Sequence, residues 1–108
     1  MKFRCLSLAA AAALMLGAGQ ASADMDLARA SGCVACHALE TKIVGPSFKD
    51  INARYADTPD ARAILIDKVK SGGSGNWTDV TGGVPMPPYS PRVSDENIGA
   101  LVDFILNL

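Results

Sequence analysis

"GCVACHAL", residues 32–39, sets Cys33 and Cys36 three apart and follows them at once with His37, the single histidine of the 108-residue chain. Two thiols and an imidazole this close have few uses in so short a protein. A redox dithiol of the thioredoxin kind belongs beside a strand–helix–strand unit, and no convincing strand pattern is found here. Structural zinc takes four ligands. The stretch offers three at most, and adjacent Cys36 and His37 are awkward on one tetrahedral ion. A plain Cys33–Cys36 disulfide is a further alternative. The remaining reading is covalent haem c, in which both thiols add to the haem vinyl groups and the next imidazole ligates iron. Two intervening residues let the cysteines span the vinyls along one helical turn, with His37 beneath the iron.

The N-terminus bears on the thiols. "MKFRCLSLAAAAALMLGAGQASAD" has Lys2 and Arg4, an apolar run from Leu6 to Ala18, then small residues at 21–23. These are the parts of a secretory signal peptide, with cleavage expected after Ala23. The apolar run falls short of the about 20 residues needed to span a bilayer, so no stable membrane insertion is expected after cleavage. Residues 1–23 are thus read as leader and 24–108 as one domain, exported to the periplasm. Cys5 leaves with the leader. Outside the cytoplasm thiols rarely stay free, so Cys33 and Cys36 must be joined or bonded to something. The domain's eight Lys and Arg (ten less Lys2 and Arg4) against eleven Asp and Glu leave −3. That excludes the basic face of a nucleic-acid binder.

Local patterns predict an all-α domain of three to five short helices and one long loop. "DMDLARASG" opens with acids and closes on Gly32, as a short helix does. In "PSFKDINARYA", Phe48, Ile51 and Tyr55 recur on one side. "TPDARAILIDKVKSGG" offers Thr58 as cap and Pro59 at the first helical position, with Gly72 and Gly73 as the stop. Its Ala61, Ile64, Leu65 and Val69 form an amphipathic face. "SDENIGALVDFILNL" begins with a Ser cap and carries Ile98, Leu101, Val102, Ile105 and Leu106 at helical spacing. Residues 71–91 are full of glycines and prolines and read as a long functional loop.

Five aromatic side chains in 24–108 make a small core, and a domain this short is marginal without a staple. An apolar cofactor fits that shortage. With one histidine, a second protein ligand to its iron has to be something else. Met25 lies eight residues before Cys33, whereas Met86 sits in "VPMPPY", inside the long loop. Pro85, Pro87 and Pro88 stiffen that loop and remove N–H groups that would be costly against a haem face. Met86 is therefore the expected distal ligand, with gap-filling as its ordinary alternative.

"GCVACHALETKIVGPSFKDI", "KVKSGGSGNW", "VPMPP" and "VSDENIGALVDFIL" together resemble the bacterial class I cytochromes c of the small c-551 (c8) type, in order and spacing, over essentially all of 24–108. The resemblance implies helices wrapped around one haem, His/Met ligation by His37 and Met86, and thioethers at Cys33 and Cys36. It implies periplasmic electron transfer between respiratory redox proteins, without enzymatic turnover; a monomer is the default expectation. It also implies that the Pro46 carbonyl accepts the His37 N–H, that the Trp77 indole reaches a haem propionate, and that Lys68 lies near one. Two features depart from the type. "TDVTGG" (78–83) lengthens the stretch between Trp77 and Met86 and should bulge from the loop. Tyr89 stands where some relatives carry Asn, free to donate to the Met86 sulfur or to face solvent. Val34, Ala35 and Val84 are candidates for an apolar rim at the haem edge. The rival reading is a haem protein whose Met86 is displaced, a gas sensor or a peroxidase-like enzyme.

Overall fold

The computed structural model describes residues 24–108; the leader and its expected cleavage site lie outside them. Five α-helices follow in chain order: α1 (Met25–Ala30), α2 (Phe48–Tyr55), α3 (Ala61–Ser71), α4 (Thr78–Thr81) and α5 (Asp95–Leu106). A single 3-10 turn, Cys33–Ala35, stands between α1 and α2. Among the described residues there is no strand, only two isolated bridges, His37 with Lys42 and Gly73 with Met86. The all-α reading therefore holds.

Three helices start on a side-chain oxygen that accepts first-turn N–H groups otherwise left without partners. The Asp24 carboxylate accepts from Asp26 N (2.9 Å) and Leu27 N (3.2 Å). The Ser47 hydroxyl accepts from Asp50 N at 3.0 Å, and Ser94 from Asn97 N at 3.1 Å.

Helix α5 is the hub, packing against α3, α2 and α1. Its Ile98, Leu101 and Val102 are buried, at the spacing that makes one apolar stripe. Leu101 and Val102 join Ala28, Phe48, Ile51 and Leu65 in one cluster, and Ile98 joins Tyr89 and Val93 in another. Polar contacts fix the crossings. Arg62 of α3 grips Asp103 of α5 with both arms, Nε to Oδ1 at 2.7 Å and Nη2 to Oδ2 at 3.3 Å. Asn52 of α2 donates to Ile105 O at 2.9 Å.

Three expectations are corrected. Helix α3 begins at Ala61, and its cap position is Asp60, not Thr58. Thr58 is used in a turn instead, its N–H on Tyr55 O (3.1 Å) and its carbonyl accepting from Ala61 N (3.3 Å). Asp60 then takes φ 59°, a left-handed conformation that Asp tolerates, which separates the turn from the helix. Residues 78–81, read as part of the long loop, form a turn of α-helix that ends on the left-handed Gly82. Ile64 is 44% exposed although it belongs to the apolar face of α3; it lines the cavity described below.

Because the Ile98 side chain, near the start of α5, is 0% exposed, Ile98→Ala should cost about 2–5 kcal/mol. Terminal, 40% exposed Leu108 should change stability by less than about 0.5 kcal/mol when replaced by Ala. Guanidinium unfolding of the two variants checks the contrast.

Candidate functional site

Gly32 ends α1 in a left-handed conformation (φ 87°) and turns the chain into the Cys33–Ala35 turn. The N–H groups of Cys36 and His37 both donate to Cys33 O, at 3.2 and 3.0 Å. The two thiols are thereby presented from one turn with the imidazole immediately behind them. Both cysteines are half-buried. Burial pushes the Cys33 thiol up, with the positive charge of Arg92 acting against it.

The following loop doubles back over His37. Gly45 N donates to Cys36 O at 2.8 Å, and His37 Nδ1 lies 2.7 Å from Pro46 O. A carbonyl only accepts, so Nδ1 carries the proton and Nε2 is left with its lone pair. The ring is also held by packing. Phe48 stacks on it with centroids 5.5 Å apart and planes 18° apart, and Phe104 of α5 meets Phe48 edge-on. Gly45 matters through what it lacks: a β-carbon there would stand 2.6 Å from His37 Cε1.

The methionine loop is fixed just as firmly. Met86 and Gly73 exchange both backbone hydrogen bonds, Met86 N to Gly73 O at 3.0 Å and Gly73 N to Met86 O at 2.8 Å. Tyr89 N donates to Val69 O (3.1 Å) and Ser90 N to Lys70 O (3.4 Å). The loop thus lies along the end of α3. Gly72 makes this approach possible: its φ of 68° with ψ of −156° belongs to glycine, and a β-carbon would strike Met86 O and sit 2.8 Å from the Pro87 carbonyl carbon.

Between these segments lies a cavity of about 240 Å³. Cys33, Cys36, His37, Pro46, Lys68, Trp77 and Met86, all seven residues singled out from the sequence, line it. Ile51, Leu65, Leu101, Val102 and Phe104 supply apolar wall. Lys68 Nζ donates to Gly72 O at 3.4 Å. The Arg54 guanidinium lies 3.5 Å from the centroid of the Trp77 ring. Val84, at 52% exposed, lines the mouth, while Val34 packs against the core and Ala35 is exposed.

Tyr89 takes neither of its expected places. It is 6% exposed, and its hydroxyl donates across the molecule to Gly32 O at 3.4 Å, beside Cys33. Arg92 covers its ring at 4.8 Å. Burial pushes the phenol above its ordinary pKa. Gly45 and Arg54 were not found by sequence reasoning at all. A Gly before Pro reads as a turn and an Arg at a helix end reads as solvated; neither carries a local sign of the ring it touches.

The cytochrome c family model matches residues 18–108. The chain belongs to the cytochrome c family. Members bind one haem c covalently, and Cys33, Cys36 and His37 fit the family's Cys-x-x-Cys-His motif. Cytochrome c-552 of Nitrosomonas europaea is 51% identical over 108 residues, covering 100% of this chain and 99% of that protein. Cytochrome c-551 of Pseudomonas aeruginosa is 38% identical over 105 residues, covering 97% and 95%. The crystal structure of the Nitrosomonas europaea cytochrome c552 superposes with a TM-score of 0.70, covering 78% of this chain and 98% of that one. The class 1 cytochrome MtoD from Sideroxydans lithotrophicus, 33% identical, superposes at 0.66, covering 82% and 95%.

Two outcomes follow for this cytochrome. Gly45→Ala forces a methyl group into the His37 ring and should destabilise the folded protein by about 1–3 kcal/mol, with a changed His37 environment in the NMR spectrum. For Tyr89, a folded-state pKa above the unfolded value of about 10 means that its contribution is complete below that pH. It is lost as the pH rises through the folded value. Tyr89→Phe should therefore flatten the alkaline limb of the stability–pH curve; an alkaline limb identical to that of the unaltered protein would contradict the buried phenol.

Proposed function

We propose that this cytochrome is a periplasmic, monomeric electron carrier that holds one haem c between His37 and Met86 and serves respiratory redox proteins as donor and acceptor. Bound haem supplies one-electron chemistry, the interchange of Fe(III) and Fe(II). The donor set suits it: an imidazole nitrogen, a thioether sulfur and two thiols for attachment, in an apolar cavity. The leader, residues 1–23, is proposed to be removed after Ala23 on export. Among the described residues no helix is long and apolar enough to cross a membrane.

Each side chain then has a task. Pro46 O holds the Nδ1–H of His37, which leaves the Nε2 lone pair as the one that would bind the haem iron. Cys33 and Cys36 supply the two thioethers. Trp77 Nε1–H and Lys68 Nζ are the donors proposed for the haem carboxylates. Apolar walls exclude water and disfavour the extra charge of the oxidised state, which together with a thioether ligand raises the potential. Val84 and Ala35 belong to the exposed rim where a partner would meet the cavity edge, in the small, transient contact usual for redox pairs.

The observation that carries this reading is the reciprocal bonding of Met86 to Gly73. A ligand whose own N–H and C=O are both tied to the end of α3 is held in place, which suits electron transfer and opposes a sensor or peroxidase that must vacate the site. The protein from a maturation-competent host should gain the mass of one haem and show a six-coordinate, low-spin ferrous spectrum indifferent to carbon monoxide. Met86→Ala should turn the ferric form high-spin, admit carbon monoxide and lower the potential. A colourless product, or a Met86→Ala variant with unchanged spectrum and potential, sinks the proposal.

A further inference from the structure

The segment between Trp77 and Met86 opens with the short helix α4, and one side chain of α2 packs on its start. Arg54, at the end of α2, reaches three successive features of that segment. Its guanidinium lies over the Trp77 ring at 3.5 Å. Its Nη1 donates to Asn76 O at 2.6 Å, and its Nη2 stands 3.9 Å from Asp79 Oδ2. One side chain thus engages the backbone before Trp77, the ring itself and the first acidic residue of α4. Trp77 lines the cavity, while α2 forms another part of its wall through Phe48, Ile51 and Tyr55.

We infer that Arg54 is a positioning residue, a clamp that sets the Trp77 indole against the cavity, and that α4 serves it by supplying Asp79. A flat guanidinium suits this task and an ammonium does not. Only the planar group stacks on an indole while its edge N–H groups reach a carbonyl and a carboxylate in the same plane. The Asp79 contact is long and exposed, so it orients the guanidinium and adds little energy of its own. The indole is a donor at one atom, Nε1, so ring orientation decides where that donor points. This inference rests on the carrier reading only for what Nε1 serves; the clamp itself is a property of the chain.

The chain has one tryptophan, so the haem-loaded ferrous protein should give a single indole N–H signal in its proton NMR spectrum, whose solvent exchange reports the clamp. Arg54→Gln should speed that exchange by about tenfold, the combined loss of a cation–π contact and a charge-assisted hydrogen bond. Asp79→Asn should speed it less. Arg54→Lys keeps the charge and should still exchange faster than the unaltered protein. Unchanged exchange in Arg54→Gln with an intact haem spectrum overturns the clamp and leaves the carrier reading standing; full rescue by Arg54→Lys overturns the stacking role. A colourless unaltered protein counts against the carrier reading instead, and the indole comparison, made on that protein, then tests Arg54 alone.

Discussion

Met86 and Gly73 exchange two backbone hydrogen bonds, and most of the architecture serves to keep that pair where it is. A methionine side chain is flexible and cannot hold a fixed position through its own torsions. Its backbone has to be fixed instead, and a loop of prolines has few N–H groups with which to do so. The chain's answer is to lay the loop on the last turn of α3, where helix-end carbonyls lack partners in any case. Val69 O and Lys70 O accept from Tyr89 and Ser90, and Gly73 pairs with Met86 itself. The approach requires a bare α-carbon at Gly72. Helix α3 is in turn pinned to α5 by the forked Arg62–Asp103 pair. The methionine loop is thereby referred, through two rigid elements, to the most deeply buried helix of the domain.

His37 is referred to the same helix by another route. Its ring is pressed between the bare α-carbon of Gly45 and the face of Phe48, and Phe48 rests edge-on against Phe104 of α5. His37 and Met86, the two ligands proposed above and 49 positions apart in sequence, thus share one structural reference. For a one-electron carrier that is the central physical requirement. The smaller the change in ligand position between the two charge states, the less reorganisation opposes transfer. Tyr89 adds a direct tie, its hydroxyl reaching from the methionine loop to Gly32 beside the attachment turn.

What could be read from the sequence, and what could not, divides along a physical line. Cys33, Cys36 and His37 are adjacent because one turn must present all three, so their chemistry is written in local spacing. The same holds for α5, whose apolar stripe and Ser94 cap lie within one segment. The place of Met86 in the cavity lining was legible from its proline-flanked position in the long loop. Gly45, Arg54 and the direction of Tyr89 were not, because each acts on a partner elsewhere in the chain. The start of α3 was missed for a subtler reason. Thr58-Pro59 is good helix-start chemistry, but the chain leaving α2 has first to turn, and the left-handed residue at Asp60 puts the start of α3 two residues later.

The two glycine pairs of the long loop make the same point from within a single segment. Gly72 and Gly73 are wedged against the methionine loop, and a β-carbon at Gly72 collides with backbone. Gly82 and Gly83 have nothing within 4 Å of such a carbon, although both also lie at positive φ. Identical dipeptides therefore do opposite things: the first brings two chain segments into contact, and the second lets the α4 turn close on itself. The second pair spends its hydrogen bonds locally. Gly82 N donates to Thr78 O, Gly83 N to Thr81 Oγ1 and Val84 N to Thr81 O. A turn that satisfies its own backbone asks nothing of Met86. The turn between Trp77 and Met86 therefore leaves the pairing of Met86 with Gly73 to be made by the rest of the loop.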